Sequence, residues 1–437
     1  MYFQIGIILT IMVIAYALAK WKKLSVELSM LSAAVGGGIA GAFTSTPPID
    51  QLARHLVEGA FTYLDVILVF STATIFMAIV RESGGVNYVV RSTIKYFYNL
   101  RIIALILLMT IVLIPGALTG AGSVSLLVVG APVALALGYL GIAKKRVAAI
   151  LFIVAGLSAA APPVNIWAMI LSAGTAIPYV GFELPLGIPV LLLGTFTVLF
   201  LGWRRERKME LEEVLKEMPE VPAGMSWWRV FLPFLVFFGL VVASRLWPFS
   251  IPMLGLPLQF AIAALVALLV SPKRIKILVL SRDTMKRLLP LLATMVVVGM
   301  LQQIMTATGV RGLLSFAVIS TPLILLFILL AVIIPVSEGV LTYGAAAIIG
   351  IPLIWFLDSI GLHATVAIAG LSLLWPLGDG LPPTALIGRL SVMVSEYKDS
   401  YWTFLKATWV PWVIITIVGI LMVIFSARLE FLVRWSM

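Results

Sequence analysis

A single offset organises the proline and glycine content of this chain. Pro115, Gly130, Pro132, Gly141, Pro162 and Pro163 recur, without a gap, 220 positions later as Pro335, Gly350, Pro352, Gly361, Pro382 and Pro383. Helices tolerate both residue types poorly: proline removes an N–H and crowds the preceding turn, and glycine loosens the backbone. Here they interrupt apolar sequence twice and in register. That pattern implies two copies of one broken-helix unit, the internal repeat on which secondary transporters are built.

The surrounding sequence is that of a membrane protein. Hydrophobic residues make up 62% and charged residues 11%, with a mean hydropathy of +1.14. A soluble chain carries about 25% charged residues. Apolar runs of the length a bilayer demands, about 20 residues, fall at 2–19, 24–44, 61–80, 145–175, 184–202, 230–247, 257–271, 288–307, 363–388 and 404–426. Two more, 101–140 and 320–357, are interrupted near their middles. The first run lacks a basic leader and a small-residue cleavage site, so it reads as a retained anchor. Without cysteine, disulfide and thiolate chemistry are excluded.

A net charge of +11 raises the question of nucleic acid, and its distribution answers it. Lys20, Lys22 and Lys23, then Arg81 to Arg101, Lys144 to Arg146, Arg204 to Lys208 and Lys273 to Arg287 all occupy alternate gaps between spans. Placing those gaps in the cytoplasm leaves only Arg54, Arg245, Arg311, Arg428 and Arg434 outside, a strong positive-inside bias. The basicity records topology, and no nucleic-acid partner is expected. Both termini then lie outside the cytoplasm of a prokaryotic inner membrane.

With basic residues on both flanks, 101–140 has to enter and leave on the cytoplasmic side as a re-entrant hairpin, its tip near Leu118 to Ser123. The broken span 145–175 follows. An odd number of crossings separates the copies, so the second hairpin, 320–357, opens to the outside with its tip near Ser337 to Leu341, and the broken span 363–388 returns inward. The expected fold is an all-α polytopic membrane protein of two inverted-topology repeats, each with a re-entrant hairpin and a Pro-Pro broken helix. The expected order is scaffold helices over 1–60, a first repeat over 61–202, a cytoplasmic linker with a short charged helix over 203–229, further scaffold helices over 230–287, and a second repeat over 288–437. Residues 84–99 carry Val86, Val89, Val90, Ile94 and Phe97 on one face and read as a helix lying in the interface.

Irregular backbone at membrane depth has to be buried in protein or line a cavity, so tips and breaks should converge on one site. The first tip, Leu118 to Ser125, supplies turn carbonyls at Gly120 and Gly122 and hydroxyls from Thr119, Ser123 and Ser125, oxygen ligands of the kind a small hard cation takes. At the first break, Pro162 and Pro163 free carbonyls, Asn165 offers a donor and an acceptor, and the following half-helix directs its positive end at the midplane, where an anion is stabilised. The second copy differs by two acids: Glu338 at the tip, where the first copy has Leu118, and Asp379 at the break, where it has Ala159. Each costs about 2.5–3.5 kcal/mol near a helix centre, which marks them as cation ligands or proton carriers. Arg389 lies toward the cytoplasmic end of its span and is expected to snorkel. His55 and His363 have no metal-ligand company in the sequence.

The tip LTGAGSVSLLVVGAPVALALGYLGI, the break APPVNIWAMILSAG and the later GDGLPPTALIG together resemble the large membrane subunit of the tripartite ATP-independent periplasmic (TRAP) transporters, of the wider ion-transporter superfamily. The resemblance spans roughly 61–200 and 288–426. It implies an elevator mechanism, sodium coupling and a carboxylate substrate such as a dicarboxylate or sugar acid. It also implies two partners, a small four-helix membrane subunit and a soluble substrate-binding protein. Its first cation region would use Thr119, Gly120, Gly122, Ser123 and the Pro162–Pro163 turn. Its second would use Ser337, Gly339, Thr342 and the turn at Pro382, Pro383 and Thr384. No cofactor is implied beyond the coupling ion, with protons as the alternative to sodium. The sequence departs from the family where Thr-Gly-Ala-Gly-Ser replaces the usual Ser-Gly-Ser tip, where Val164 stands for a serine, and where Glu338 and Asp379 have no counterpart.

Other readings are a single-component symporter of the divalent-anion or gluconate type, a channel, and an intramembrane enzyme. The Gly-Asp-Gly at 378–380 is similar to an aspartyl-protease element, but that chemistry needs two carboxylates sharing a proton. Only Glu338 is available to pair with Asp379, and an enzyme leaves the repeat unexplained.

Overall fold

The computed structural model describes residues 2–44, 48–204, 211–247 and 254–434, which are helices joined by turns with no strand among them. The chain opens with α1 (Tyr2–Trp21) and α2 (Val26–Phe43), the second begun by Ser25, whose Oγ accepts from the Leu28 N–H. Next come α3 (Ile49–Phe61), α4 (Leu64–Glu82) and α5 (Gly85–Phe97). The first hairpin climbs along α6 (Arg101–Thr119), turns at Gly120, and returns through α7 (Gly122–Ser125), a wide π-helical turn at 126–130 and α8 (Ala131–Tyr139). The broken helix follows as α9 (Lys144–Ala160) and α10 (Ile166–Thr175), and α11 (Glu183–Gly202) completes the first half. A short α12 (Leu211–Glu217) lies in the linker.

The second half repeats this order as α13 (Trp227–Leu246), α14 (Leu256–Val270), α15 (Ile277–Ala307), α16 (Val310–Ser320) and the hairpin arm α17 (Leu323–Leu341). A π-helical turn at 346–350 leads into α18 (Ile351–Ser359), then the broken pair α19 (Ala364–Gly378) and α20 (Leu386–Val394). The helices α21 (Tyr401–Ala407) and α22 (Trp409–Ile424) meet at 54°, and α23 (Phe431–Arg434) ends the described chain. Nine helical stretches among the described residues are long and apolar enough to cross a bilayer, or ten with the bent α21–α22 pair.

Both π-helical turns, and α8 and α18 after them, sit 220 positions apart at each end. Each turn runs into a proline, Pro132 or Pro352, that supplies no N–H to the helical ladder, a common cause of local widening. In the first copy a side chain makes up the loss: Arg81 Nη1 donates to the Leu127 carbonyl (3.0 Å). The first arms deviate, with α17 lying two residues further along its copy than α6. Gly120 ends α6 at a φ of 71°, a conformation open to glycine. The second copy has Val340 there, the helix continues to Leu341, and Thr342 takes the turn at a φ of 52°. The second tip therefore lies at 342–343, beyond the expected 337–341, and Ser337, Glu338 and Gly339 are helical.

Packing between the halves is reciprocal. Half-helix α10 lies against the second π-helical turn, and α20 against the first; α2 packs on α15, and α14 on α4; α1 packs on α16, and α13 on α5. Contacts exchanged in this way describe an approximate two-fold axis. At that axis α9 crosses α19, and the corresponding positions Gly156 and Pro376 touch: a Cβ on Gly156 would stand 3.1 Å from Pro376 Cβ.

Helix α3 fills the gap between the apolar runs 24–44 and 61–80, where the sequence pattern predicts no span. It packs along α15, where Gly59 and Gly299 bring the two backbones together. A Cβ on Gly59 would sit 2.6 Å from the Gly299 carbonyl oxygen, and one on Gly299 would sit 2.1 Å from that of Gly59. Small residues permit such close crossings in membranes, where packing drives helix association. Gly59→Val should therefore destabilise the protein by about 1–3 kcal/mol through overpacking. Its apparent unfolding midpoint in detergent should fall, while Gly239→Ala, into open space, leaves it near the parent value. Equal midpoints for the two variants would contradict the crossing.

Candidate functional site

Each hairpin is fastened to the break of its own copy. In the first, the Val164 N–H donates to the Ala117 carbonyl (3.0 Å). In the second, the Thr384 N–H and Oγ1 both donate to the Gly339 carbonyl (3.2 and 2.9 Å). Val164 and Thr384 are corresponding positions; Ala117 and Gly339 differ by the two-residue displacement of α17. Tight contact behind each bond is secured by one glycine. Gly116 admits Ser158 in the first copy, and Gly378 admits Pro335 and Glu338 in the second.

At the first tip Thr119 Oγ1 donates to the Pro115 carbonyl (2.8 Å) and Ser125 Oγ donates to the Val112 carbonyl. Thr119, Ser123 and Ser125 are all buried. At the first break a single side chain bridges both half-helices. Asn165 Oδ1 accepts from the Ala168 N–H (2.9 Å), capping α10, while Nδ2 donates to the Ala160 carbonyl (2.9 Å) at the end of α9. The Asn165 N–H donates to Tyr179 Oη, which donates onward to the Pro163 carbonyl (both 3.0 Å). Asn165 thus directs its amide at the interrupted backbone.

The second break runs from Asp379 to Ala385 and is pinned in the same manner. Tyr401 Oη donates to the Gly380 carbonyl (2.7 Å), and the Gly388 N–H donates to the Asp379 carbonyl (3.1 Å). Both proline pairs, Pro162–Pro163 and Pro382–Pro383, are cis. Their surroundings differ: Pro162 and Pro163 are half-buried, Pro382 and Pro383 exposed. Thr342 and Ala385 (φ 44°), at the second tip and break, hold left-handed backbone without being glycine, a strain that tends to collect at functional sites.

Two acids lie where the second tip and break meet. Glu338 is 1% exposed and Asp379 4%. They root side by side, since a Cβ on Gly378 would fall 2.6 Å from Glu338 Cβ. Glu338 Oε1 accepts from Trp167 Nε1 (3.0 Å), a residue of α10 in the opposite copy. Glu338 Oε2 is buried with no hydrogen-bond partner, and neither acid forms an ion pair with a described Lys, Arg or His. The Trp167 ring leans on Tyr343 (centroids 5.2 Å), and the Tyr343 hydroxyl approaches the Gly120 carbonyl (3.5 Å) at the first tip. Gly122, also at the first tip, adjoins Ile387 on α20. Trp167 and Tyr343 thereby join the two tips through the acidic pocket. Among the described residues no group of three or more His, Cys, Asp or Glu side chains gathers.

Sequence reasoning passed over Trp167, Tyr343, Tyr179 and Tyr401. Tyr179 and Tyr401 follow their proline pairs at nearly equal distance and each donates to a carbonyl of its own break, and that spacing is the signal that could have found them. Arg389 reaches back to the break, donating from Nη2 to the Pro383 carbonyl (3.0 Å).

No protein-family model and no curated protein matches the sequence. Among solved structures, the chain is similar to the crystal structure of the YdaH transporter from Alcanivorax borkumensis, reported to have an unusual topology. The match covers 86% of this chain and 87% of that one, with a TM-score of 0.57 and 14% identical residues. At that identity the likeness is one of fold. The chain is a multi-pass helical membrane protein whose fold is shared by a transporter.

Two substitutions probe this geometry. Trp167→Phe removes the donor to Glu338, and stranding a buried acceptor costs about 1–3 kcal/mol. Asn165→Ala removes an N-cap, worth about 0.5–2 kcal/mol, together with the bond to Ala160. Both should lower the unfolding midpoint in detergent; a Trp167→Phe protein as stable as its parent would mean that the Glu338 contact does not hold the copies together.

Proposed function

We propose that the chain is a secondary active transporter that couples a cation gradient to the uptake of an organic anion, a carboxylate, dicarboxylate or sugar acid. On this reading it is the large permease of a TRAP-type system, partnered by a small four-helix membrane subunit and a soluble substrate-binding protein. The observation that carries it is Glu338, buried with one carboxylate oxygen unpartnered beside Asp379. A stranded buried oxygen asks for an ion or a proton, and two acids without a basic neighbour favour a bound cation. Oxygen ligands suit a hard cation such as sodium, and Ser337, Thr342 and Thr384 stand on the elements that form this pocket. The first tip, with Thr119, Ser123 and the carbonyls of Gly120 and Gly122, would supply a neutral companion site.

The reciprocal packing supports two inverted copies related by an axis in the membrane plane. It also supports an elevator, in which hairpins and broken helices, bonded to one another, travel against the outer helices as one body. A single-component carrier is the second reading. Glu338 and Asp379, foreign to the TRAP pattern, favour it, because a site rebuilt around two acids need not depend on a delivered substrate.

The test is uptake into liposomes of radiolabelled succinate, malate, gluconate and glucuronate by the purified chain, with and without candidate partners, under sodium, potassium or proton gradients. Uptake of at least one anion under a sodium gradient is expected. Asp379→Asn and Glu338→Gln should each reduce sodium-driven uptake by about tenfold or more, the loss of roughly one strong contact. Uptake by the chain alone selects the single-component carrier, and uptake under a proton gradient without sodium assigns the acids to protons. If no gradient drives any of these anions, the reading fails.

A further inference from the structure

The inner side of the second break is acidic and closed, and its outer side is open and carries one cation. Pro382 and Pro383, between the two half-helices, and Arg389, one turn into the second, are exposed, although the span is apolar on either side. Side chains on a helix lean toward its N-terminus, and the Arg389 guanidinium accordingly folds back over the break to the Pro383 carbonyl (3.0 Å). Its other N–H groups have no partner, and no described carboxylate pairs with it. A lipid-facing guanidinium beside an interrupted helix is unfavourable on both counts. Contact with water or with a bound anion relieves both.

The neighbouring donors are already committed. The Thr384 hydroxyl and N–H go to Gly339, the Tyr401 hydroxyl to Gly380 and the Gly388 N–H to Asp379. Arg389 is left as the positive fork on the exposed side of the break, positioned by its bond to Pro383. The corresponding residue of the first copy is Met169, which is buried. The cation is a property of one copy, as the acids are.

We propose that Arg389 is the anchor for a carboxylate of the transported anion, held at the outer side of the second break opposite the buried Glu338 and Asp379. This rests on the organic-anion reading above. A guanidinium takes a carboxylate through two parallel N–H bonds, a geometry that lysine does not reproduce. Anion and coupling cation would then lie on the two faces of a single turn, Asp379 to Ala385. Either ligand stiffens the backbone that the other one needs.

The experiment uses the purified full-length chain in nanodiscs, titrated with succinate, malate, gluconate and glucuronate, and with succinamide as an uncharged control, following the thermal midpoint. The parent protein should be stabilised by at least one carboxylate and not by succinamide. Arg389→Gln should weaken that carboxylate by about 30-fold or more, as for a charge pair losing one partner, and Arg389→Lys should recover part of it. Stabilisation by sodium alone should survive in both variants. In the parent, phenylglyoxal modification of Arg389, read by mass spectrometry, should slow when the carboxylate is present, a readout that requires no variant to fold. Carboxylate affinity unchanged in Arg389→Gln, or labelling unaffected by the carboxylate, overturns the proposal while the anion reading stands. A parent protein indifferent to every carboxylate overturns both.

Discussion

Interrupting a helix within a bilayer strands carbonyls and N–H groups where no water is available to pair with them. This protein does so at two proline pairs, two hairpin turns and two π-helical turns, and the described remedies tie one element to another. Asn165 spans the first break; Tyr179 and Tyr401 reach carbonyls at the first and second; Val164 and Thr384 tie the breaks to the hairpins; Arg81 supplies the Leu127 carbonyl. The polar centre and the scaffold are thus one problem with one solution. Nearly every bond that repairs an interruption also fixes two elements relative to each other.

The proline and glycine spacing showed the hairpins, the breaks and their pairing, because those residues act on the backbone through rules that hold without knowledge of the neighbours. What it did not show depended on neighbours. Helix α3 is a short segment with a polar face, and its burial against α15 follows from Gly299, about 240 positions away. The displaced second tip depended on Val340 standing where the first copy has Gly120, a comparison that was open to view but was not made. At the site, hydroxyl and acidic residues could be nominated from the motifs. Trp167 and Tyr343 could not, since an indole donor in an apolar helix looks like packing until a carboxylate from the other copy arrives beside it.

The two copies share a frame and have divided their chemistry. The first break is closed and neutral, its amide occupied with capping; the second is open on one side and holds the ionisable groups Glu338, Asp379 and Arg389. Neutral turns bind through geometry, and charged ones also respond to occupancy. Trp167, reaching across the interface, is where the neutral half touches the charged one.

The stretch from each π-helical turn to the end of the following helix has the same length in both copies, 126–139 and 346–359. The two stretches differ in their residues and agree in their count. An inserted residue would rotate every later side chain by about 100° around the helix and carry Gly130 or Gly350 off the half-helix it adjoins. The connector and α3, which has no twin, are under no such count.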